Sequence, residues 1–165
     1  MKFLLGKTFI NIASALYIWI LGITLGALLA SGAFVANVIF NAGFFGVELS
    51  KFQSGILMTQ IFLKLNILLI VVAFIIAIFE TFALRLGDGT KTIKIILFLS
   101  GAVSVICILL FSLYYTPFII EQQQLGATAT QSSEFTSMHT QSEFVANVLF
   151  FSLSTNILFR LIYRR

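Results

Sequence analysis

The chain has 165 residues, of which 59% are hydrophobic and 10% charged, with a mean hydropathy of +1.07. A water-soluble domain carries about 25% charged residues, so this chain lacks the charge to coat one and reads as integral membrane. The net charge of +4 does not point to nucleic acid, because the cations flank apolar runs, where they act as topology signals.

The apolar runs are continuous, and a helix spans a bilayer with about 20 such residues. A β-barrel would show short alternating segments instead. The predicted fold is all-α: one domain over 1–165, a polytopic membrane four-helix bundle with a polar extracytoplasmic segment between spans three and four.

The N-terminal "MKFLLGKTFINIASALYIWILGITLG" has two marks of a signal peptide, Lys2 and "ASA" at 13–15. Lys7 and Asn11 interrupt it and the apolar run continues, so an uncleaved first span is expected. That span covers about 12–32, with a helical continuation through Asn41. Gly22, Gly26 and Ala30 form a small-residue ladder, the kind that lets helices approach closely in lipid. Packing within the bundle is the expected use of this face, and a homodimer contact is the alternative. Trp19 is expected to pack inside.

A polar linker, "NAGFFGVELSKFQSG", leads to span two at about 56–84. Lys64 is the one charge well inside an apolar run, and an intramembrane cation is a functional-site hypothesis. The milder reading has Lys64 snorkelling to the outer rim. Gln60 precedes it by four residues and shares its face, whereas Asn66 is turned about 200° away. Glu80 sits near the inner rim, where a structural ion pair is expected. Arg85, Lys91 and Arg160 are its potential partners, and Glu80–Arg85 is the pair expected here.

The loop "RLGDGTKTIK" carries a turn at Gly87-Asp88-Gly89. Span three follows at about 95–115 and is expected to close at Thr116-Pro117. Its Cys107, the only cysteine, reads as a buried structural thiol. The polar segment "EQQQLGATATQSSEFTSMHTQSE" fills 121–143, with a short helix expected around Phe135–Phe144. Span four is about 144–162, ending in "RLIYRR".

Basic residues divide by side. Lys2, Lys7, Arg85, Lys91, Lys94, Arg160, Arg164 and Arg165 share one face of a four-span topology, and only Lys51 lies opposite. The positive-inside rule therefore puts both termini in the cytoplasm. Abundant Phe, Ile and Asn fit an AT-rich bacterial genome and hence the inner membrane.

His139, the only histidine, and Met138 are the only metal candidates, and axial haem ligation by them is the poorer possibility. A hydrogen-bonding histidine on an interfacial helix is the simpler reading. The single aspartate, Asp88, falls on the opposite side from His139, and no glycine-rich phosphate loop or carboxylate pair occurs. The chain is not expected to be an enzyme or to hold a cofactor.

Residues 12–158 resemble the bacterial domain-of-unknown-function proteins grouped with the transmembrane protein 205-like domain. The resemblance rests on "WILGITLG", "SGILMTQIFLKLN", "YY" at the end of span three and "FTSMHTQSEFVAN". Gly55, Phe62 and Asn66 match the second block, and Phe135, His139, Ser142 and Asn147 match the last. It implies a four-helix membrane domain with no settled activity, and it draws attention to His139.

Two functions follow. The first is a non-enzymatic accessory or partner-binding subunit in the lipid bilayer, with a membrane protein or a second copy as partner. The second is small-molecule or metal-ion handling through an outer-leaflet cluster of Lys64, His139, Gln60, Asn37 and Asn147. The last two residues lie in a seven-residue echo, "FVANVIF" at 34–40 and "FVANVLF" at 144–150. Its flanks and depths disagree, so it reads as coincident chemistry in a restricted alphabet.

Overall fold

A computed structural model describes residues 2–86 and 90–163, without the side chains of 2–5, 7 and 86. The expected turn at 87–89, Arg164, Arg165 and the side chains of Lys2 and Lys7 lie outside the described residues. No strand occurs among them. The chain forms four rods, at Thr8–Phe40, Lys51–Arg85, Lys91–Gln124 and Ser133–Ile162, each long and apolar enough to cross a membrane. It is a multi-pass membrane protein.

The first rod is α1 (Lys2–Leu29), a π turn at Ala30–Val35, and α2 (Ala36–Phe40). A short 3₁₀ turn ends at Gly46, whose φ of +78° suits a residue without a Cβ. The second rod is α3 (Lys51–Leu86). Ser50 and Gln53 start it as a capping box: Gln53 N–H donates to Ser50 Oγ at 3.2 Å, and Ser50 N–H donates to Gln53 Oε1 at 2.9 Å.

The third rod is α4 (Lys91–Leu110), a π turn at Phe111–Tyr115, and α5 (Thr116–Gln124). The sequence reading closed this span at Thr116-Pro117, but the helix continues. A proline has no N–H and its ring crowds the carbonyl four residues back. The π turn changes the register just before that point, which makes Pro117 a first-turn residue of α5. Phe111 O accepts from the Thr116 N–H and also from Thr116 Oγ1, at 2.8 Å.

The polar segment is shorter than its composition implied, because 121–124 belong to α5. Ser132 Oγ caps α6 (Ser133–Ile162) by accepting from Phe135 N–H at 3.1 Å. The helix expected around Phe135–Phe144 is the N-terminal end of α6 and not a separate element.

The rods close a ring in which α4 packs against α3 and α6, and α1 packs against the other sides of α3 and α6. Leu21, Leu65, Leu69, Val72, Ile76, Ile108, Leu149 and Leu153 fill the centre. On α3 the inward positions run 58, 62, 65, 69, 72, 76 and 80, the spacing of one helical face.

Two expectations about α1 are overturned. Trp19 is 64% exposed and does not pack inside. Gly22 and Gly26 are exposed as well, and a Cβ at either would meet nothing within 4 Å. Tyr17, Leu21, Thr24 and Leu28 take the inward face, which turns the ladder outward. Trp19 is the only tryptophan in the chain. In reconstituted membranes its fluorescence should be strongly quenched by phosphatidylcholine brominated on its acyl chains. An unquenched signal would place this face of α1 against protein.

Candidate functional site

Two polar sites sit at opposite ends of the bundle. One, at the end where the termini lie, is built on Glu80, which is 2% exposed. Its Oε1 accepts from the Tyr17 hydroxyl of α1 at 2.7 Å and from Asn156 Nδ2 of α6 at 2.8 Å. Its Oε2 pairs with Arg160 of α6 at 2.5 Å. The expected partner, Arg85, is exposed and is not the residue that takes up this carboxylate. The reason is positional. Glu80 lies on the inward stripe of α3, and Arg85, five residues on, is rotated about 140° from it.

Asn156 ties the carboxylate to α4 by donating to Leu97 O and to Ser100 Oγ, both at 3.0 Å, and its Oδ1 accepts from Arg160 Nε at 3.0 Å. The Arg160 guanidinium lies 5.0 Å from the Tyr17 ring centroid and 4.8 Å from that of Phe79. Those two rings stack at 3.9 Å, so the cation rests against aromatic surface. Gly101 of α4 makes the room: a Cβ there would stand 2.5 Å from Glu80 Cγ.

The other, at the opposite end, is a cavity of about 1000 Å³. Toward the rod ends its lining includes Lys51, Gln123, Gln131, His139 and Glu143, and further along the rods Leu28, Met58, Phe62, Phe111 and Phe150, with Thr59, Thr116 and Ser142 among them. From Lys51 to Phe62 along α3 is about 16 Å. Both π turns contribute to the wall, through Gly32 and Ala33 in one and Phe111 in the other, and such turns recur at functional sites.

Hydrogen bonds brace this end. Ser54 Oγ donates to Ile39 O at 3.2 Å, joining α3 to α2, and Gln123 Nε2 donates to Thr59 Oγ1 at 2.9 Å, joining α5 to α3. Tyr115 OH donates to Gln141 Oε1 at 3.3 Å. Between the first rod and α6 no such brace is present among the bonds described. Leu29, Gly32, Ala33 and Phe40 on one side and Asn147 and Phe151 on the other are exposed as well as cavity-lining. The cavity therefore opens sideways through this seam.

Of the five residues expected to cluster, only His139 and Asn147 line the cavity. Lys64 and Gln60 share a face, but it is the exposed outer face of α3, opposite the inward stripe. Asn37 lines a separate recess, where its Oδ1 accepts from Asn41 Nδ2 at 2.6 Å. The polar cluster as drawn from sequence does not form, and the two copies of the echo stand in different surroundings. His139 stacks on Phe135 and reaches Glu143 Oε1 at 3.3 Å. Met138 does not line the cavity, and among the described residues no group of three or more His, Cys, Asp or Glu gathers to hold a metal ion.

A family model described as Domain of unknown function (DUF4149) matches residues 19–128, about two thirds of the chain. The chain belongs to that family. No curated protein and no solved structure matches it. The DUF4149 match takes in α2 to α5 and the part of α1 from Trp19 onward but ends before α6, so it adds nothing at His139. It does not extend to the likeness with the transmembrane protein 205-like domain.

Sequence reasoning missed Tyr17, Asn156, Gly101, Thr59 and Gln123, and it singled out Asn66 only through the family resemblance. Continuing the inward stripe of α3 would have placed Glu80 inside the bundle. Nothing local marks Tyr17 or Asn156, which gain meaning only when three helices meet.

Removing one member of a buried ion pair leaves the other charge uncompensated, at a cost of about 3–5 kcal/mol. Arg160→Met is therefore expected to lower unfolding stability in mixed micelles by that amount. The double variant Glu80→Gln/Arg160→Met should recover most of the loss. Gly101→Ala should cost about 1–3 kcal/mol through overpacking against Glu80.

Proposed function

We propose that the chain is a non-enzymatic binding protein whose outer cavity takes a single-chain amphiphile from the surrounding membrane. The supporting observation is the cavity itself: an apolar depth, a polar mouth and a side opening between the first rod and α6. Its volume is at the upper end for small-molecule sites, about 300–1000 Å³. Lys51 and Glu143 place opposite charges at the mouth, which suits a zwitterionic or neutral headgroup. The proposal keeps the orientation read from the basic residues, with both termini in the cytoplasm of a bacterial cell and the cavity in the outer leaflet of the inner membrane. The likeness to the transmembrane protein 205-like domain stays part of this reading, on the residues quoted above.

A second reading is favoured by the outward Gly22 and Gly26, which leave α1 open to close approach by a partner helix. We propose a second copy as that partner. Gly26→Leu should then abolish a dimer seen by cross-linking in mild detergent, and unchanged cross-linking would remove this reading.

The cavity reading is tested with a fluorescently labelled single-chain phosphocholine and the full chain in nanodiscs. Saturable binding is expected, weakened about tenfold or more by Ala36→Trp, which fills the wall. Non-saturable binding, or binding indifferent to that substitution, overturns it.

A further inference from the structure

Beneath the cavity floor lie two buried polar atoms that no protein group satisfies, Asn66 Oδ1 of α3 and Ser112 Oγ in the second π turn. Both residues are more than nine-tenths buried. A buried polar group left without a partner costs about 1–3 kcal/mol, and native proteins leave few.

The orientation of the Asn66 amide is fixed by chemistry. Thr116 Oγ1 spends its one hydrogen on Phe111 O, so toward Asn66 it is an acceptor. Asn66 must therefore present Nδ2 to Thr116, at 3.0 Å, and Oδ1 is the atom left over. Ser112 precedes Thr116 by four residues, about one turn, so the two share one face of the rod. Its Oγ–H has no acceptor. The pair thus offers one acceptor and one donor to a common guest.

We propose that Asn66 and Ser112 form a subsite for a single hydroxyl group, which donates to Asn66 Oδ1 and accepts from the Ser112 hydroxyl. A water molecule and the alcohol end of a bound amphiphile supply the same chemistry. Thr116, Phe62 and Phe111 line the cavity and roof the subsite, with the two rings in edge contact at 5.5 Å. Entry of an alcohol parts those rings, while water occupies the site behind them. The alcohol source rests on the cavity reading above, and the water source does not.

The experiment uses the full chain in phosphatidylcholine nanodiscs, with displacement of the labelled phosphocholine by dodecan-1-ol and by its methyl ether. One added hydrogen bond is worth about tenfold in affinity, and the ether cannot donate. An alcohol preference of that size, lost in Ser112→Ala and in Asn66→Leu, establishes the amphiphile as source. No preference, together with a nuclear Overhauser contact from long-lived water to the Thr116 amide, establishes water. A preference that survives both substitutions, or no preference with no such water, overturns the subsite. Failure of the labelled phosphocholine to bind defeats the cavity reading alone, and the water measurement still decides the subsite.

Discussion

The bundle depends on one carboxylate. Glu80 receives hydrogen bonds from α1 and α6, and through Asn156 it is tied to α4, so a single buried charge gathers all four rods. Lipid tails supply no hydrophobic force between helices, which makes such polar ties and close packing the means of holding helices in place. A buried ion pair is a poor source of net stability but a strong penalty on any arrangement that separates its members. Its value here is that it specifies one register for the rods at the end where the termini lie.

Fixing one end leaves the other free to differ. At the opposite end the ties run from α2 to α3, from α3 to α5 and from the second π turn to α6. The seam between the first rod and α6 is left out of that set. The two π turns set the outer segments of their rods out of straight α-helical register, and the space they border is the cavity. Gly32 inside one π turn and Phe111 inside the other both stand in its wall.

The membrane class and the four rods were legible in the sequence because they depend on quantities summed over 20 or more residues, and such sums survive local error. The continuation of the first helix past Asn11 was legible for the same reason; Glu80 lies on an equally sustained pattern, but it was read as a rim residue and not as a buried one. Single residues fared differently. Lys64 is a conspicuous charge, yet helical phase puts it outside, while Asn66, two residues on, is inside. The Gly22–Gly26 ladder marks a face that can be approached closely but carries no information on which neighbour approaches. Pro117 was read as a stop because the rule for prolines assumes α-helical register, and the π turn changes that register. Of the site, His139 and Asn147 were found, and the depth of the cavity was not, since its aromatic lining is indistinguishable by type from residues that face lipid.

Along α3 the two polar sites are separated by an apolar layer. Along α3, Asn66 and Glu80 are about 21 Å apart, and Leu69, Val72, Ala73 and Ile76 between them are buried among Leu21, Ile108, Leu149 and Leu153. No charged or hydrogen-bonding side chain of the inward stripe bridges that gap. A polar solute entering the cavity therefore meets an apolar wall, and opening a path beyond it requires moving α1 or α6 against the Glu80 ties. The cost of separating a buried charge from its partners, about 3–5 kcal/mol, falls on that movement and not on loading the cavity. On the binding role proposed above, filling the cavity leaves the Glu80 ties in place.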